Sequence, residues 1–77
     1  MEYYTLTRAG GEAVPLLRER GRINEADVLD YLREKKSLTL EQIADGLSEK
    51  ETVVGFKLRM LTGEGWVRRK RTKSFLI

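Results

Sequence analysis

The 77-residue chain has no cysteine and no histidine. The first absence rules out disulfides and thiol chemistry. Together the two remove the usual ligands of structural zinc, and the second removes the commonest general base and metal ligand. Proline occurs once, at Pro15, and aromatic residues make up only 8% of the chain. No apolar run approaches the roughly 20 residues that a membrane-spanning helix requires. The opening MEYYTLTRAGG lacks the basic-then-apolar order of a secretion signal. A cytoplasmic protein of a single domain, near the lower size limit for an unaided hydrophobic core, is the expectation.

Charge is what the chain does have, and it is unevenly spread. Through Lys36 the basic residues Arg8, Arg18, Arg20, Arg22, Arg33, Lys35 and Lys36 are matched one for one by acids. From Lys57 onward, Lys57, Arg59, Arg68, Arg69, Lys70, Arg71 and Lys73 face Glu64 alone, although the net charge is only +3. Such asymmetry suits a surface that meets a polyanion, whereas an edge strand guarded by charge against aggregation is the plainer explanation.

Local patterning predicts four helices and short strands. Tyr3 to Thr7 reads as a strand from its aromatic and β-branched content. A helix from Glu12 to Arg20 places Pro15 in its first turn, with Ala13, Leu16 and Leu17 inward and Gly21 as its stop. Asn24 is the predicted cap of the next helix, with Ile23 stapled onto Val28 and with Val28, Leu29 and Leu32 inside. Thr39 and Gln42 form a capping box for a short helix ended by Gly46, with Leu40, Ile43, Ala44 and Leu47 buried. Ser48 and Glu51 form a second box for a helix whose Val54, Leu58 and Leu61 make one buried stripe. Gly63 or Gly65 ends that helix, and Trp66 and Val67 anchor a basic strand. Thr72 and Lys73 turn the strand, and Phe75 and Ile77 return it to the core.

The pieces ADVLDYLREKK, SLTLEQIADGLS and KETVVGFKLRMLTGEGWVRRKR, in this order, resemble the winged helix-turn-helix domain of bacterial and archaeal transcription regulators. The resemblance implies an α+β fold, mainly α with a small β-hairpin. A three-helix core plus C-terminal wing would span residues 23–77, with residues 1–22 as a strand-and-helix extension of the same domain. It further implies binding to double-stranded DNA, with the last helix in the major groove and the wing on phosphates. The residues it assigns to DNA are Glu49, Lys50, Thr52, Val53, Phe56, Lys57 and Arg59 of the helix, and Arg68, Arg69, Lys70, Arg71 and Lys73 of the wing. YYTLTRAGGEAV resembles a strand and helix that follow the wing in some such regulators; here it precedes the first helix.

One feature departs from that family's pattern. With Val54, Leu58 and Leu61 inward, a 100° step per residue turns Glu49, Thr52, Phe56 and Arg59 outward. Val53, Phe56 and Met60 then form an apolar strip where polar base-reading side chains are expected. The chain's own N-terminal segment can cover it, a second copy or a partner protein can dock there, or it can sit against DNA of little sequence preference. A protein-interaction module using this strip is therefore the competing function, and the strip and the N-terminal segment are the candidate homodimer surfaces. Nearly all the carboxylates fall at caps, first turns or polar helix faces, no nucleophile–base pair occurs, and Gly10-Gly11 is not a phosphate loop. No catalytic residue, metal ligand or cofactor site is predicted.

Overall fold

The computed structural model describes residues 2–71, which form an α+β fold of four helices and a small antiparallel sheet. In chain order these are β1 (Glu2–Leu6), α1 (Arg8–Glu19), α2 (Ile23–Lys35), β2 (Ser37–Leu38), α3 (Leu40–Leu47), α4 (Glu51–Gly63) and β3 (Val67–Arg71). The strand order is β2-β1-β3, so the first strand of the chain is the centre of the sheet. The hairpin return expected from Thr72, Lys73, Phe75 and Ile77 lies outside the described residues, and the described partner of β3 is β1.

A single core holds the layers together. It joins Ala13, Val14 and Leu17 of α1 to Ala26, Val28, Leu29 and Leu32 of α2, and to Ile43 and Ala44 of α3. Val54, Leu58 and Leu61 of α4 and Leu38 and Val67 of the sheet complete it. Tyr4, Leu6, Leu40, Leu47, Tyr31 and Trp66 pack around its edge. The stripe expected of α4 is fully buried. The segment expected to be an extension contributes both a central strand and a core helix.

The α1 helix starts four residues earlier than its local pattern predicts. Thr7 caps it, its hydroxyl accepting from the Gly10 N–H, and Pro15 consequently sits in the helix interior. A proline there removes the hydrogen bond to the carbonyl four residues back, which is that of Gly11. Arg33 of α2 fills the gap, donating from Nη2 to the Gly11 oxygen at 2.8 Å. The inner face is Gly10, Ala13, Val14 and Leu17, and the expected inward Leu16 is exposed.

Three further caps differ from expectation. Arg22 occupies the N-cap position of α2, so Asn24 lies within the helix, and Ile23 is its exposed first residue and not the one before the cap that a staple requires. The Thr39–Gln42 capping box is present in both directions. Gly46 does not end α3. Instead it seats Tyr31, whose ring and hydroxyl occupy the space that a Cβ would need. The helix stops at Ser48, which adopts the left-handed conformation (φ 54°) while the Glu49 N–H reaches back to the Ala44 oxygen. Committed to closing α3, Ser48 does not cap α4, whose N-cap is Lys50 without a side-chain hydrogen bond.

At the far end of α4, Gly65 (φ 80°) makes the left-handed turn. The Gly65 N–H donates to the Thr62 oxygen and the Trp66 N–H to the Leu61 oxygen, the paired bonds of a Schellman motif. Only glycine takes such a φ without a Cβ penalty, so this turn fixes where β3 leaves the helix. Trp66 then packs at the core edge beneath the Arg22 guanidinium, 5.8 Å from the ring centroid.

Candidate nucleic-acid interface

Register divides the basic strand between two faces. Side chains directly opposite in an antiparallel pair project to the same side, and alternate residues project to opposite sides. Leu6 pairs with Val67, Tyr4 with Arg69 and Glu2 with Arg71. Val67 is buried, so this set faces α4 and the core. Tyr3 pairs with Lys70 and Thr5 with Arg68, placing those two cations on the opposite face. All four basic side chains of β3 are exposed.

Between α4 and the inner sheet face lies an open groove of about 730 Å³. Glu2, Tyr4 and Arg69 line it from the sheet, and Leu40 from α3. From α4 come Glu51, Thr52, Gly55, Phe56, Arg59 and Thr62. Of the residues assigned to DNA in the sequence, the structure therefore brings together Thr52, Phe56, Arg59 and Arg69. Tyr4 joins them. Its membership depends on the β1–β3 register, which no local pattern in the sequence reveals.

Two assigned residues are held elsewhere. The Lys57 ammonium donates to both carboxylate oxygens of Glu49 at 2.8 Å, and its side chain is only 15% exposed. The pair ties the Ser48–Lys50 turn to α4, and neither member lines the groove. Glu49 precedes the first helical residue, so the outward position that a helical count gives it does not apply. Lys50 is exposed at the N-cap. Lys73 lies outside the described residues.

Arg71 is also engaged, donating from Nη2 to Glu2 at 3.0 Å. The Arg71 hydrogen bond, with the charge of Arg69 adding to it, holds the Glu2 carboxyl below its ordinary value. A depressed carboxyl pKa keeps the pair intact through neutral pH, and the pair is lost only as pH falls through that lowered value. Arg59, Arg68, Arg69 and Lys70 have neither an ion-pair nor a side-chain hydrogen-bond partner among the described residues.

The apolar strip is not covered by the N-terminal segment, which is committed to the sheet. Val53, Phe56 and Met60 are 42%, 64% and 43% exposed. No second backbone packs against Gly55, at the groove floor, among the described residues: a Cβ built there meets only Leu40 methyl groups, the nearer at 3.7 Å. Gly55→Ala is therefore expected to stabilise the fold by about 0.8–1 kcal/mol, the helix-propensity difference, read as a higher midpoint in chemical denaturation. A lower midpoint would mean that the glycine serves a contact absent from this geometry.

The described residues hold no cluster of acids suited to a metal ion and no helix long and apolar enough to cross a membrane. Comparison with protein-family models, with curated proteins and with solved structures finds no match to this chain.

Proposed function

We propose that the chain is a winged helix-turn-helix protein that binds double-stranded DNA, with α4 facing the major groove and β3 on the phosphate backbone. The observation that carries the reading is the convergence of Thr52 and Arg59 on α4 with Arg69 on β3 around one open groove. The cations supply affinity and orientation through phosphates, and Thr52 and Arg59 can meet base edges. The three-residue turn between α3 and α4, followed by a glycine-set exit into a basic strand, is consistent with that architecture. A regulatory or architectural role follows from such binding, and no cofactor is needed for it.

A second reading has its own observation. The exposed row of Val53, Phe56 and Met60 suits docking of a partner protein or a second copy. Titration of a labelled random-sequence duplex, followed by anisotropy at two salt concentrations, separates the two. The DNA reading expects micromolar binding that weakens steeply with salt. No binding at low salt would sink it and direct attention to the Phe56 row.

A further inference from the structure

Phe56 is the residue that duplex reading explains least, and the fold sets it on the same groove as Tyr4. Resting on the nucleic-acid reading above, we infer that this groove accepts one unpaired nucleotide of a DNA strand. Its base lies against Tyr4 and Phe56, and its phosphates lie on Arg59 and Arg69. Binders of unpaired strands combine a cationic track with aromatic faces on which bases stack, and stacking tolerates any base because every base has a π-face. Both components line this groove, from elements distant in sequence.

Size and charge agree with the assignment. A volume of about 730 Å³ falls within the range of roughly 300–1,000 Å³ typical of small-ligand sites. Gly55 leaves the floor open, since outside its own helical backbone and chain neighbours the nearest atom to where its Cβ would stand is a Leu40 methyl. The carboxylate of Glu2 is bonded to Arg71 and feels the charge of Arg69, but neither Arg59 nor Arg69 forms a close ion pair among the described residues. Glu51, in the first turn of α4, is the opposing charge left at the rim. Phe56 keeps 64% of its surface exposed, so its ring is available without any rearrangement of the core.

The test compares three labelled probes by anisotropy: a short oligothymidylate, a blunt duplex, and the same duplex carrying a single-stranded overhang. Wild type should bind the oligothymidylate or the overhang about 5- to 150-fold more tightly than the blunt duplex, the range expected for one base–aromatic stack. Phe56→Leu should abolish that preference, read as the ratio of each single-stranded probe's affinity to that of the blunt duplex. Gly55→Leu, a change favourable to the helix that fills the groove floor, should do the same. Because Phe56 is exposed and a Cβ at Gly55 makes only ordinary contacts on the side of the open groove, both variants are expected to fold, which a thermal melt verifies. Preference for the overhang alone assigns the site to strand junctions, and preference for both probes assigns it to single strands. Equal affinity for all three probes, indifferent to Phe56→Leu, overturns the nucleotide site and leaves the duplex reading standing. Absence of binding to every probe overturns both.

Discussion

Gly10→Ala is expected to cost about 3 kcal/mol, the upper end of what overpacking a tight site incurs. For a domain of this size that lowers the thermal midpoint by more than about 10 °C. A Cβ at Gly10 would stand 2.8 Å from the Leu6 Cδ1 and 2.9 Å from the Trp66 carbonyl carbon, and closer still to the Trp66 oxygen. Leu6 can change rotamer, but the Trp66 carbonyl cannot easily retreat. It accepts the Thr7 N–H at 3.1 Å, while the Thr7 hydroxyl donates to the adjacent Gly65 carbonyl at 2.7 Å. Gly65 and Trp66 are themselves fixed by the Schellman bonds at the end of α4. Relief of the clash therefore breaks either the cap of α1 or the exit of α4.

Gly11→Ala is the matched control. There a Cβ meets only Arg33 Nη2 at 3.5 Å and Leu6 Cδ2 at 3.7 Å, ordinary contact distances, and helix propensity favours alanine by about 0.8–1 kcal/mol. Unfolding followed by circular dichroism should separate the neighbouring variants by several kcal/mol. Similar melting of the two would show that the α1–β3 junction yields. The functional consequence is direct, because this junction sets β1 against β3 and so determines which side of the sheet each basic residue occupies.

The readings that succeeded were those whose physics is local. The Thr39–Gln42 box closes on itself within four residues, and the Val54–Leu58–Leu61 stripe is set by helical pitch alone. Most of the readings that failed were decided by distant partners, and one by an adjacent turn. Pro15 reads as a first-turn residue until Arg33, from another helix, satisfies the Gly11 carbonyl it leaves unpaired. Ser48 has the sequence of an N-cap, yet it is taken first by the left-handed turn that closes α3. Lys57 and Arg71 look like free cations in the sequence, but Glu49 and Glu2 are brought to them by the fold. Tyr4 reaches the candidate site only through a strand pairing that spans nearly the whole chain.

Those captured cations change the size and the distribution of the expected electrostatic effect on DNA. Counting the five basic side chains Arg68, Arg69, Lys70, Arg71 and Lys73 as phosphate contacts would give a log–log salt slope of about −4 to −5. With Arg71 held by Glu2, and with Arg68 and Lys70 on the sheet face away from α4, fewer charges reach one backbone. A slope of about −2 to −3 is therefore expected for the wild type. Replacing Arg68, Arg69, Lys70 and Arg71 together by alanine should weaken duplex binding at low salt and flatten the slope by about 0.9, the share of Arg69, because the other three do not reach that backbone. Among single changes, Arg69→Ala should be the most damaging, because Arg69 alone of the four lines the groove, and it forms no close ion pair among the described residues. Arg71→Ala should matter less, since its charge is already offset. Glu2→Gln should act in the opposite sense, freeing Arg71 and steepening the slope by about 0.9 with tighter binding. Anisotropy titrations across a salt series read all of these at once. Equal losses for Arg68→Ala, Arg69→Ala and Lys70→Ala, with no gain from Glu2→Gln, would mean that DNA does not approach from the α4 side of the sheet.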